Sequence, residues 1–319
     1  MSNSSVISAL VHTLRYEADG IISVELRPWG DTVFAPFEAG AHIDLHLPNG
    51  LVRSYSLLNA PSEQGRYVVG ILRDRASRGG SRYVHEQLRV GMELRISQPR
   101  NNFALDTHAS HSVLVAGGIG ITPIFCMFNR LLALGRSAEL IYCARSRREA
   151  ALLEPLAAHG AKVIYHFNDE KDGFPDLAKY LAGRSVDSHF YCCGPTPMLD
   201  AFEQTCEQLG YAHAHIERFS AVEVEASQDA QASYSVELSK SGKTLSVEPG
   251  LNLLDVLLEA GCDIDYSCRE GVCGSCETRV LEGDIDHRDG VLTKAERAAN
   301  GSMMVCVSGC KSKRLVLDL

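Results

Sequence analysis

Long apolar runs are missing from this chain. Nothing in its 319 residues approaches the roughly 18 consecutive apolar positions a membrane helix needs, so no membrane partner is expected. Residues 1–9 lack both a charged n-region and an apolar h-region, so a cytoplasmic protein without a signal peptide is expected. A positive balance is lacking too. The net charge is −9 at pH 7, which argues against nucleic acid as a partner. No internal repeat is present. What is abundant is cysteine: eleven, an odd number, which argues for metal or redox use over a disulfide framework. Cys126, Cys143 and Cys206 sit in apolar patterns and read as small core residues.

The length suggests two or three domains, and the patterning divides the chain. Residues 1–107 read as many short strands. His42-Ile43-Asp44-Leu45-His46-Leu47 alternates, 67–72 is an apolar run, and 93–96 alternates again, with glycine turns between, as in a small antiparallel β-barrel. Across 108–220 the period changes. Strands near 113–116, 139–144, 162–167 and 189–193 alternate with helical stretches, beginning with 123–134, as in an α/β domain with a parallel sheet. Residues 221–233 are small, polar and free of aromatics, and read as a linker. The last segment, 234–319, opens on an alternating strand followed by a helix over 253–260.

Within that segment, Cys268-Arg-Glu-Gly-Val-Cys273-Gly-Ser-Cys276 is C-x4-C-x2-C, and Cys306 follows in an apolar strand pattern. This is the spacing of a plant-type [2Fe–2S] cluster. Gly271 and Gly274 suit a loop that must turn its amides toward sulfur. A structural zinc site is the competing reading, but zinc sites usually pair two C-x2-C units and only one is present. Cys262 and Cys310 are not expected to be ligands. Residues 234–319 thus resemble a plant-type ferredoxin domain, a β-grasp fold.

Two further motifs precede it. Gly117-Gly118-Ile119-Gly120-Ile121-Thr122-Pro123 follows a strand and opens a helix, so its amides and the helix N-terminus can face a pyrophosphate. It is not G-x-G-x-x-G, so a Rossmann dehydrogenase is a poor match. It resembles the Gly-Gly-x-Gly-x-Thr-Pro loop of the ferredoxin–NADP reductase superfamily. That superfamily's second signature is present as Cys193-Gly194-Pro195, with Met198 just beyond. The resemblance puts Cys193 beside a nicotinamide; simple packing is the alternative. Arg145-Ser146-Arg147-Arg148 lies where a ribose 2′-group would sit. No acidic residue there offers a hydroxyl acceptor, so these residues leave NADPH open beside NADH.

Arg53-Ser54-Tyr55-Ser56 matches the superfamily's flavin-holding Arg-x-Tyr-Ser pattern. Arg53 and Tyr55 share one face of a strand, whereas Ser56 needs a bend or its amide to reach the flavin. Arg78-Gly79-Gly80-Ser81 is a second candidate cradle for a phosphate.

The order of flavin, nucleotide and ferredoxin domains is similar to that of the phthalate dioxygenase reductase family across nearly the whole chain. That resemblance implies FMN, NADH and a [2Fe–2S] cluster, and a Rieske-type oxygenase as electron acceptor. It also implies hydride transfer to the flavin followed by single-electron steps, and a flavin shield at Phe219, for which packing is the alternative. An FAD-containing reductase serving a different monooxygenase is the second reading. Arg269 and Glu270, beside the cluster cysteines, are candidates for the docking surface.

Overall fold

The strand segments of the first hundred residues pair edge to edge. In the computed structural model, which describes residues 6–75, 77–171, 173–219 and 233–319, they are β1 (Ile7–Ala18), β2 (Ile21–Pro28), β3 (His42–His46), β4 (Val52–Ser56), β5 (Tyr67–Leu72) and β6 (Glu93–Ile96). Their order is β4-β3-β6-β1-β2-β5, all antiparallel. A bridge between Leu57 and Val69 joins the two outer strands, with Leu58 N–H donating to the Val68 carbonyl at 2.9 Å. The sheet thereby closes as a barrel around fully buried Val11, Val24, Leu26, Ile43, Leu45, Val69 and Ile71. Helix α1 (Gly80–Gln87) follows β5. It was not legible in sequence, because only Gly80 and Val84 are buried on it.

The second set is β7 (Ser112–Gly117), α2 (Ile121–Ala133), β8 (Ala138–Ala144), α3 (Leu153–Ala157), β9 (Val163–Phe167), α4 (Leu177–Leu181), β10 (His189–Cys193), α5 (Thr196–Gln208) and β11 (Ala214–Glu217). The strands are parallel, in the order β11-β10-β7-β8-β9. All six residues of β7 are buried, which explains its unbroken apolar reading. The chain order reverses between β7 and β10, so a crevice opens at the carboxyl ends of those two strands.

Barrel and parallel sheet share one hydrophobic core and one compact unit, Ser5–Arg218. The contact is close. A Cβ on Gly70 of β5 would lie 2.6 Å from Thr122 Cγ2, at the start of α2.

A second unit contains Phe219–Leu319, and of the expected linker only Ser233 falls among the described residues. It comprises β12 (Tyr234–Leu238), β13 (Thr244–Val247), α6 (Leu253–Glu259), β14 (Glu277–Glu282), β15 (Ile285–Asp286), α7 (Lys294–Ala299), β16 (Ser302–Met304), β17 (Gly309–Cys310) and β18 (Arg314–Leu317). The main sheet runs β13-β12-β18-β14-β16, with β12 and β18 parallel, and buries α6 through Leu253, Leu254 and Leu257. This is the β-grasp arrangement. Asn252 caps α6, its Oδ1 accepting from Leu254 N–H at 3.0 Å, while its Nδ2 donates to the Cys306 carbonyl at 2.7 Å. The helix cap therefore also fixes the fourth cysteine of the motif.

Candidate functional site

The four motif cysteines are almost wholly buried, at 5, 2, 3 and 2 % exposure for Cys268, Cys273, Cys276 and Cys306. The Cys268 thiol lies within hydrogen-bonding reach of Cys273 and the Cys306 thiol within reach of Cys276, with Cys273 close enough to Cys306 to act on it. The hydrogen bond within each pair, reinforced by burial, pushes the Cys268 and Cys306 thiols far above their ordinary range. Metal binding would displace those protons.

Backbone donors surround the sulfurs: Glu270 N–H donates to Cys268 Sγ at 3.3 Å. The loop reaches this shape through left-handed residues at Arg269, Gly271 and Gly274, with φ of 55°, 67° and 75°. A Cβ at Gly271 would sit 2.6 Å from Val307 Cγ2, so only glycine fits. Arg269 is held in that conformation by Asp255, 2.9 Å from its Nη1, and by the Tyr266 ring, 4.8 Å from its Cζ. Cys310 lies apart, its thiol donating to the Ser312 carbonyl at 2.7 Å.

In the other unit, the glycine loop after β7 and the Cys-Gly-Pro turn after β10 interlock. A Cβ on Gly120 would lie 2.2 Å from the Cys193 carbonyl oxygen, and one on Gly117 would lie 2.5 Å from Met198 Sδ and 2.8 Å from Pro195 Cδ. The structure thus brings Gly117, Gly120, Cys193, Gly194, Pro195 and Met198 together. A Cβ on Gly118 (φ 54°) would meet nothing within 4 Å, so there only the left-handed backbone calls for glycine. Thr122 and Pro123 are buried in the first turn of α2, and the Thr122 hydroxyl donates to the Ile119 carbonyl at 3.1 Å. Its side chain therefore serves the turn and the barrel contact.

On the barrel, the Arg53 side chain crosses Gly80, where a Cβ would meet its Cγ at 2.7 Å and its Nε at 2.9 Å. Arg53 and the Arg78-Gly79-Gly80-Ser81 turn at the start of α1 are thus one constellation: a guanidinium beside helix amides, which fits a flavin phosphate. Gly79 supplies the left-handed turn, at φ 101°. Ser81 Oγ donates to Ser77 Oγ at 3.0 Å, within that turn. Tyr55 shares the Arg53 face of β4 and is half-buried. Ser54 faces away, donating to Asp44 Oδ1 at 2.5 Å, and the same carboxylate pairs with Arg100. The sequence reading of Ser54 as a cofactor contact therefore narrows to its backbone.

Ser56 turns toward the end of β11 and donates to Glu217 Oε2 at 3.3 Å. Glu217 is the residue that sequence reasoning missed. Desolvation pushes its carboxyl pKa up to about 8, against the smaller opposing effect of the Ser56 hydrogen bond. Cys193 is fully buried, and burial, followed by the Glu217 charge, pushes its thiol well up. Ser56, Cys193 and Glu217 thus gather a hydroxyl, a thiol and a proton-holding carboxyl where barrel and crevice meet. Arg218 fixes the end of β11, its Nη2 donating to Asp200 at 2.9 Å and Glu203 at 3.0 Å. Phe219 is 41 % exposed.

The arginine-rich turn after β8 differs from its sequence reading in one respect. Ser146 caps the turn, accepting from Glu149 N–H at 3.4 Å, and Arg145 is exposed. Besides Glu149 within the turn, a second acidic residue reaches it from beyond β9: Glu170 binds Arg147 through Nε at 3.1 Å and Nη2 at 3.4 Å. Its place in the sequence, after the next strand, hid it.

Comparison with known proteins gives two matching family models. One is the 2Fe-2S iron–sulfur cluster binding domain, over residues 236–311; the other is the dimethylamine monooxygenase subunit DmmA-like N-terminal domain, over 92–216. The phenoxybenzoate dioxygenase subunit beta of Ectopseudomonas oleovorans is 49% identical, covering 98% of this chain and 97% of its own. A vanillate O-demethylase oxidoreductase of Pseudomonas sp. is 42% identical, covering 98% and 100%. The crystal structure of phthalate dioxygenase reductase superposes with a TM-score of 0.73 at 34% identity, covering 99% of both chains.

Proposed function

Since the chain belongs to the phthalate dioxygenase reductase family, we propose that it is the NADH-dependent reductase component of a two-component Rieske-type oxygenase. The acceptor is inferred from the names of the relatives, and a cytoplasmic location goes with that role. A flavin, here FMN, supplies the conversion of a two-electron hydride into single electrons, which a [2Fe–2S] cluster carries onward.

The chain's own residues account for the rest. Arg53 and the start of α1 hold the flavin phosphate. The interlocked loops at Gly117–Gly120 and 193–195 bind the dinucleotide and set its nicotinamide end near Cys193. Ser56 and Glu217 hold a proton at the junction of the two halves. Phe219 follows directly on this strand and would shield the flavin until the nicotinamide arrives. Cys268, Cys273, Cys276 and Cys306 hold the iron. The observation that carries this reading is the Ser56–Glu217 contact, which joins the flavin-type strand to the nucleotide crevice, in a chain that also buries four cysteines of cluster-type spacing.

The test is Cys273→Ser. Reduction of a cluster-dependent acceptor is lost while NADH-driven ferricyanide reduction persists; loss of both in a folded protein contradicts the modular route. Acid release and mass measurement of the flavin distinguish FMN from FAD, the second reading.

A further inference from the structure

The chemistry that chooses between NADH and NADPH rests on whether the arginines after β8 are available to a phosphate. β8 is the immediate neighbour of β7, with Gly117 opposite Cys143, so the turn after Ala144 lies one strand over from the glycine loop. A ribose whose pyrophosphate occupies that loop reaches this turn. Three arginines stand there, and the count alone favours a 2′-phosphate.

Two of the three are already matched by carboxylates. Arg147 lies over the Phe167 ring, 4.5 Å from its centroid, and is gripped by both oxygens of Glu170. Arg148 is 3.3 Å from Asp19 of the barrel. The stacking on Phe167 matters because it fixes the plane of the guanidinium, so Glu170 occupies the face a phosphate would need. A 2′-phosphate must displace that carboxylate or lie beside it, like charge against like. A 2′-hydroxyl meets no repulsion and finds an acceptor.

We infer that Glu170 is a specificity-determining residue for this enzyme: by occupying Arg147 it rejects the 2′-phosphate of NADPH and admits the 2′-hydroxyl of NADH. The inference rests on the nicotinamide reading above.

The holoprotein is titrated calorimetrically with 5′-ADP and with adenosine 2′,5′-bisphosphate, and kcat/KM for ferricyanide reduction is measured with NADH and NADPH. Wild type favours 5′-ADP and NADH. In Glu170→Gln, affinity for the bisphosphate and kcat/KM for NADPH rise roughly tenfold relative to their partners, the scale of removing one like charge a few ångströms from a phosphate near the surface. The change falls in KM, and adding Arg147→Ala abolishes it. Flavin absorbance confirms that each variant is folded. A wild type that binds the bisphosphate as well as 5′-ADP, or a Glu170→Gln variant with unchanged ratios, overturns the inference and leaves the choice to Arg145. Absence of any NADH-driven reduction in wild type would instead sink the reductase reading.

Discussion

A single carboxyl shows how far chemistry can be set by place. Glu217 carries the ordinary chemistry of glutamate, yet the protein around it holds its proton up to about 8, above its usual 4.5. The folded state then binds a proton that the unfolded chain has already released. Stability must fall as pH rises from the ordinary carboxylate range through that value. Denaturant melts at pH 6 and pH 9 should show wild type losing stability at the higher pH. Glu217→Gln should flatten the difference. Gly271 makes the opposite point, since its role is steric. Gly271→Ala forces a left-handed residue and a Cβ 2.6 Å from Val307, so the loop must open. The expected outcome is loss of the cluster's visible absorbance with flavin bands intact.

At the scale of elements, legibility followed burial. Strand β7, buried on both faces, and β10 were readable because their apolar runs follow from the packing around them. Helix α1 was not, because Arg53 lies over its start in place of a core, and its sequence shows charge and glycine instead of apolar period. The cluster-type spacing of the four cysteines lies open in the chain; Glu217 and Glu170 do not, since each acquires meaning only when a strand end meets a residue far away in the chain.

The pairing of β10 and β11 carries a prediction of its own. His189 stacks on His213 at 4.4 Å and Tyr191 on His215 at 4.6 Å, with Asp106 3.9 Å from His189. Burial, followed by the neighbouring imidazoles, lowers the pKa of His189 and His215, with Asp106 opposing. Their stabilising effect is therefore full above the ordinary histidine value of 6.5 and is lost as pH falls through the depressed value. Melting temperatures should drop between pH 7 and pH 5, and less so in His215→Phe. In α7 a simpler test applies. Thr293 and Glu296 form a capping box, and Thr293→Ala should cost about 1 kcal/mol in denaturant unfolding.

Among the described residues the β-grasp unit shares no core residue with the rest: one core spans barrel and parallel sheet, a second covers the other face of that sheet, and a third lies within the β-grasp unit. Calorimetry of the intact protein should resolve two transitions, and stripping iron should lower one of them selectively. Among the described residues no helix is long and apolar enough to cross a membrane.

The interlock of the two nucleotide loops has a consequence for how such an enzyme can change. Gly120 lies against the Cys193 carbonyl and Gly117 against Met198, so neither loop has slack of its own. A lineage, or a directed-evolution library, that varies one loop alone will mostly sample broken proteins. Productive variants should carry compensating changes on both sides of the crevice, so the two loops are inherited as one part.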